Sequence, residues 1–242
     1  MTRRRTPLGR AEVSPHPAGK APLPSVDTIH QRVLGAIVEH RLPPGTKLGE
    51  ERLAKVFGVS RTQIRQVLER LAHDRIATVV PNRGAFVSSP TVEEAREVFA
   101  ARRVIEQDLI RQAVRAVTPA DIRRLRAHVT HESAARAAND KRAIIRLSGE
   151  FHQLIAEIAG NRFLAKTLRD LETLTCLVII LYDAPNVPAC PYHEHSDLVD
   201  VIEAHDEQRA ADHMVEHLRH VEASLNFERA PDGEIDFDAV FA

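Results

Sequence analysis

Between Val26 and Val87 the apolar residues recur first at helical spacing, in three short runs, and then in two shorter β-rich runs around Pro81-Asn82-Arg83-Gly84. Few folds accept that order. Ile29, Val33, Ile37 and Val38 define a first helix that Pro43-Pro44-Gly45 stops. A second runs from about Glu50 to Phe57, and Gly58-Val59 turns the chain into a third. There Ser60-x-x-Gln63 fits a capping box, with hydroxyl and amide both satisfying orphan backbone N–H groups. Ile64, Val67, Leu68 and Leu71 are predicted to face inward, leaving Arg61, Thr62, Arg65, Gln66 and Glu69 outside. Ile76 to Val80 and Ala85 to Val87 then read as a hairpin. Three short helices and a hairpin describe a winged helix-turn-helix, whose third helix lies in the major groove of DNA.

The charge distribution agrees. The residues up to Pro90 hold 15 basic and 7 acidic side chains, net +8, whereas the rest hold 18 and 27, net −9. A basic first third suited to a polyanion is thus joined to an acidic remainder with another task. Arg61 and Arg65 stand one turn apart on the polar face of the third helix, and arginine can donate two parallel bonds to guanine O6 and N7. Arg83 at the hairpin tip, beside Gly84, is suited to a minor groove or a phosphate. Any one of these arginines alone would read as a solubility residue; their combination reads as a DNA surface.

Residues 1–25, with five prolines and Arg3-Arg4-Arg5, read as a flexible basic arm. No apolar stretch follows the arginines, so a plain tail is expected rather than an export signal. Cys176 and Cys190 form no C-x-x-C pair, which argues against a disulfide framework or a cysteine-built zinc finger and fits a reducing cytoplasm. The longest apolar run, Cys176 to Tyr182, falls far short of the roughly 20 residues of a membrane span. It is expected to be core, with Cys176 a small buried hydrophobe.

Beyond Pro90 the chain reads as helix throughout, near 92–116, 119–138, 141–159, 162–183, 193–204 and 207–227. Thr91-x-x-Glu94 fits a capping box, Thr118-Pro119 supplies a cap and a first-turn proline, and Gly160-Asn161 ends a helix. The expected architecture is mainly α: a winged helix-turn-helix at 26–89, an all-helical bundle at 92–228 and a tail at 229–242.

Residues 26 to 88 resemble the DNA-binding domain of the GntR family of bacterial transcription regulators. The resemblance is carried by Leu42-x-Pro44-Gly45-x-x-Leu48, Leu53-Ala54, Gly58-Val59-Ser60-Arg61-Thr62, Arg65, Leu68, Leu71 and Asn82-Arg83-Gly84-Ala85-Phe86-Val87. It implies DNA contacts from Arg61, Thr62, Arg65 and Gly84, and Arg52, Gln66 and Arg83 are expected beside them. Gln63 stands where the family often has proline, and Glu51-Arg52 where arginine usually precedes an acid.

From about Glu93 to Leu225 the chain is similar to the all-helical ligand-binding (FCD) domain of the FadR-type branch, through Arg102 with Glu106, Phe151-His152 with Gly160-Asn161, Glu194-His195 and His217-Leu218. The resemblance implies a divalent metal, Zn²⁺ or Ni²⁺, on His152, His195 and His217; the alternative is a metal-free polar pocket lined by hydrogen-bonded histidines. Ser148 replaces the aspartate that many relatives place four residues before the first histidine. Losing that carboxylate leaves the site more positive, which favours an anionic effector. Arg102 is a candidate for bidentate capture of a carboxylate, or else half of an ordinary surface pair with Glu106. The expected protein is a cytoplasmic, homodimeric regulator, a repressor rather than an activator. It would bind an inverted-repeat double-stranded operator and respond to a small carboxylate held near Arg102 and Ser148, without enzymatic turnover. Two rivals come from other classes: a metal-dependent helical phosphohydrolase, suggested by His205-Asp206, and a module binding acidic protein rather than DNA.

Overall fold

A computed structural model of the chain describes residues 23–39, 41–182 and 193–228. All but the last three residues of the expected arm, the whole expected tail and Cys190 lie outside them.

The amino-terminal unit holds α1 (Val26–Val38), β1 (Lys47–Leu48), α2 (Glu50–Phe57), α3 (Arg61–His73), β2 (Ala77–Val80) and β3 (Gly84–Val87). The strands form one antiparallel sheet in the order β1-β3-β2, with Lys47 opposite Phe86 and Val80 opposite Gly84. β1 was not expected. Two residues carry no periodicity, and the strand exists because β3 offers it a free edge. Gly58 ends α2 at φ +67° and Gly84 opens β3 at φ +96°, left-handed backbone that side chains other than glycine resist. Arg83 N–H closes the hairpin onto the Val80 carbonyl at 3.0 Å.

One half of the expected capping box at α3 forms and the other does not. Ser60 Oγ accepts from Gln63 N–H at 3.2 Å, but the Gln63 amide donates instead to the Pro24 carbonyl at 2.8 Å. A glutamine side chain is long enough to choose between its own cap and a neighbouring segment, and here it fastens the start of α1 to the start of α3.

Beyond Pro90 come α4 (Val92–Ala116), α5 (Pro119–Ala137), α6 (Lys141–Ala159), α7 (Arg162–Tyr182), α8 (Glu194–Glu203) and α9 (Glu207–Ala223). Both reciprocal bonds of a capping box form at Thr91/Glu94, and at Thr118/Asp121 they accompany the first-turn proline. Gly160 caps α6 at φ +74°. α4 runs through the middle, packed on α9, α6 and α7.

The two units share core. Leu177 of α7 is fully buried in the cluster formed by Ile29, Val33, Leu53, Ile64 and Leu71 of the amino-terminal unit, and Leu174 packs against the same cluster. One helix of the bundle is therefore seated in the amino-terminal unit.

Candidate functional site

Arg61, Thr62, Arg65 and Gln66 are exposed on α3, with Ile64, Val67, Leu68 and Leu71 beneath them in the core. Arg52 is exposed on α2, and Arg83 and Gly84 are exposed at the hairpin tip. The Arg83 guanidinium lies 5.7 Å from the Phe86 ring centroid. Glu50, the first residue of α2, joins Arg61 and Arg65. Its carboxylate accepts from Arg65 Nε at 3.0 and 2.9 Å and from Arg61 Nη2 at 3.5 Å. The bond from Arg65 lowers the Glu50 carboxyl and raises the guanidinium. Sequence reasoning missed Glu50, because two bridges across the α2–α3 turn leave no periodic trace.

In the bundle the three candidate metal ligands meet. His152 comes from α6, His195 from α8 and His217 from α9, all buried, with donor atoms within 4.8 Å of one another. His217 Nε2 lies 3.3 Å from His195 Nε2 and 3.3 Å from His152 Nε2. Each ring turns its other nitrogen to a carboxylate. His152 Nδ1–H donates to Glu106 Oε2 at 2.5 Å, His195 Nδ1–H to both oxygens of Glu132 at 2.9 Å, and His217 Nδ1–H to Glu194 Oε2 at 2.6 Å. A proton held on Nδ1 leaves the Nε2 lone pair free, so three lone pairs converge. Burial keeps the rings uncharged: it lowers His152, lowers His195 well below the usual histidine range, and lowers His217 to about 4. Phe151 stacks on His195, 4.1 Å between centroids, and fixes the ring plane. Neutral imidazoles with oriented lone pairs and carboxylate partners are the donor set a divalent transition metal takes.

Beside the histidines lies a cavity of about 40 Å³, lined by Arg102, Ser148, His152, Glu172, Thr175 and His217 among others. Arg102 does pair with Glu106, Nε to Oε1 at 2.6 Å, but their side chains are 5% and 2% exposed, so this is no surface pair. Burial works against the ionised form of Glu106, yet Arg102 and His152 outweigh it and hold the carboxyl at about 2. The Arg102 guanidinium also donates through Nη1 to Thr175 Oγ1 at 3.3 Å, while Nη2 has no partner. Glu172 accepts from Gln153 Nε2 through Oε2 and leaves Oε1 without a partner; burial pushes its carboxyl up to about 8. Cys176 also lines the cavity, its thiol pushed up to about 12 by burial.

Glu132 and Glu172 carried no signal in the sequence. α5 has no apolar stripe, so nothing distinguished Glu132 from its exposed neighbours, and Glu172 occupies a helical position like many others. In the sequence Glu106 and Glu194 stand out only beside Arg102 and His195. His205 and Asp206 belong to a helix junction: His205 has φ +55° and donates through Nδ1 to the Val114 carbonyl at 3.1 Å, and Asp206 caps α9.

A winged helix-turn-helix with exposed arginines on its third helix, seated on a helical bundle around a polar cavity, defines a ligand-binding class of transcription regulator. Comparison with known proteins gives the family. Residues 25–87 match the gntR family of bacterial regulatory proteins, and residues 97–220 match the FCD domain. The chain belongs to the GntR family of transcription regulators, with an FCD effector-binding domain, and is not an enzyme.

It is 24% identical over 190 residues to the HTH-type transcriptional repressor RspR of Escherichia coli (strain K12), covering 78% of this chain and 83% of that protein. It is 25% identical over 249 residues to the HTH-type transcriptional repressor NanR of Salmonella schwarzengrund, covering 91% and 87%. Among solved structures, E. coli McbR/YncC shares the fold with a TM-score of 0.74 at 21% identity, covering 82% of this chain and 95% of that one. Among the described residues no helix is long and apolar enough to cross a membrane.

Proposed function

We propose that this regulator is a repressor whose grip on an inverted-repeat operator is released by a small carboxylate bound in the helical cavity, and that it acts as a homodimer in the cytoplasm. The observation that carries the reading is the pairing of three converging imidazole nitrogens with an adjacent cavity that holds a buried guanidinium. His152, His195 and His217 would hold Zn²⁺ or Ni²⁺, which when bound supplies a cationic centre for an effector oxygen. Ser148 lines the cavity. With no carboxylate at that position, an acid is favoured to balance the charge. Arg102 Nη2, without a protein partner, would donate to the same acid, and the bonds of Nε to Glu106 and Nη1 to Thr175 fix the guanidinium.

DNA reading is assigned to Arg61, Thr62, Arg65 and Gln66 on α3, with Arg52, Arg83 and Gly84 flanking. Two-fold protein symmetry would impose two-fold symmetry on the half-sites. Coupling between the sites would run through α7. Its Glu172 and Thr175 line the cavity, whereas Leu177 sits in the core of the DNA-reading head and Leu174 packs against that core. An acid that favours one setting of α7 would favour one setting of that head.

The test is direct. DNA selected from a random pool by the native protein serves as operator, and small carboxylates are titrated against the complex with metal content measured before and after chelation. The reading expects release by an acid that acts on the native protein and not on Arg102→Ala or His195→Ala. Equal release from all three would move the effector elsewhere.

A further inference from the structure

We propose that the cleft between the DNA-reading head and the helical bundle is a second ligand site, apart from the histidine cavity, and that it takes a flat aromatic acid bearing a ring N–H. The cleft has a volume of about 550 Å³, within the range of small-molecule sites. α1 and the end of α3 supply one wall, with His30, Leu34 and Asp74, and α6 and α7 supply the other, with Ile145, Arg146 and Arg169. Glu172 and Cys176 border both spaces, but Arg102, His152 and His217 line only the smaller one. Among the described residues three buried side-chain atoms lack a hydrogen-bond partner: His30 Nδ1, Arg102 Nη2 and Glu172 Oε1. The last two line the histidine cavity; His30 lines the cleft alone.

The chemistry of these walls selects the occupant. His30 is 3% exposed, and its Nε2–H donates to Asp74 Oδ2 at 3.2 Å. Burial keeps the ring uncharged, so Nδ1 presents a lone pair with no donor to meet it. A buried acceptor left open is costly until a donor answers. Leu34, Val38, Ile76 and Ile145 border the same cleft, so that donor must arrive on an apolar body. A rigid ring between two facing walls holds an N–H at one point with little freedom to lose, which a flexible chain cannot do. The cations of the second wall are unequally committed. Arg146 bonds Glu150 at 2.7 Å and Lys166 bonds Asp170 at 3.0 Å. Among the described residues Arg169 bonds only the Gln153 amide oxygen, at 3.3 Å, so its exposed guanidinium is the group left to pair with a carboxylate. An occupant held by His30 and Arg169 would tie the head to the bundle.

Calorimetric titration of the full chain at neutral pH with three probes tests this: indoleacetate, benzothiopheneacetate, which has the same shape with sulfur in place of the N–H, and indole, which lacks the acid. Indoleacetate should bind at least about tenfold more tightly than benzothiopheneacetate, because a site built to hydrogen-bond an N–H discriminates against its absence. His30→Phe, which removes the acceptor, should bring the ratio of the two acids to about one, and His30→Gln, which keeps an acceptor, should restore part of it. Arg169→Gln, at an exposed position, should weaken both acids about threefold and leave indole unaffected. Should the His30 variants fail to fold, the native ratio and the Arg169→Gln titrations decide. No binding of indoleacetate, equal binding of the two acids, or a ratio unchanged in His30→Phe would overturn the proposal. Binding that survives in His30→Phe and Arg169→Gln but is lost in His195→Ala would place the probe in the histidine cavity, overturning the second site and leaving the effector reading of that cavity untouched.

Discussion

Two arginine–glutamate pairs, one in each half of the molecule, are built from the same groups and do opposite work. Arg65 meets Glu50 on the outside of the DNA-reading head, with 58% and 30% of the side chains exposed. Arg102 meets Glu106 inside the bundle at 5% and 2%. Water screens the first pair, so its contribution to stability is small and its use is orientation: Glu50 holds guanidinium groups that must remain available to a partner. The second pair has left water altogether and is supported by further bonds, to His152 on the acid and to Thr175 on the base, although Arg102 Nη2 has no partner. The difference teaches that exposure, not residue identity, decides whether an ion pair is a tool or a keystone.

The comparison can be broken most forcefully with salt. With roughly 6–10 phosphate contacts in the proposed dimer, operator affinity should fall about 10³ to 10⁵-fold between 50 and 200 mM salt, while the melting temperature of the free protein moves little. Filter binding and calorimetry across one salt series read both. A DNA affinity indifferent to salt would remove electrostatic reading from the exposed face.

Next in size is the buried pair. Glu106→Leu leaves Arg102 uncompensated in the interior and His152 without its carboxylate, and should cost about 3–5 kcal/mol in a denaturant melt. A loss under about 1 kcal/mol would show that water reaches the pair and that the two halves of the molecule differ less than their geometry says.

Chelation comes third. If a metal is bound at about a hundredfold excess over its dissociation constant, removing it should lower stability by about 2.7 kcal/mol, and His195→Ala should abolish the difference between loaded and chelated protein. Identical melting curves for loaded and chelated native protein would remove the metal from the proposed site.

Arg65→Ala follows. Losing a bidentate base contact should weaken operator binding roughly tenfold or more and relax preference at one base pair, as a repeated selection from random DNA would reveal. Unchanged selected sequences would displace the reading from α3.

The smallest and sharpest effect belongs to Glu50→Gln. Freed from its carboxylate, Arg65 should bind random DNA slightly more tightly and the operator slightly less, narrowing the specificity ratio a few-fold at an unaltered melting temperature. In an Arg65→Ala background the same substitution should do little, because Glu50 works through Arg65.

Local signals fixed the helices and the hairpin. Periodicity at Ile64, Val67, Leu68 and Leu71, the caps at Thr91 and Thr118, the stop at Gly160 and the Pro81–Gly84 turn all act within a few residues, so their outcome is written next to them in the chain. Which side of α3 carries Arg61 and Arg65 follows from the same periodicity. Tertiary structure alone decided the rest. Glu132 and Glu172 became buried carboxyls because of the helix faces that happen to meet them, Gln63 left its own cap for Pro24, Lys47–Leu48 became a strand at the edge of β3, and Leu177 entered the core of the other unit. A polar side chain in water is indifferent to its place on a helix. Once buried it must find a partner, and in this chain the partners lie on other helices, far along the sequence, where no local pattern can announce them.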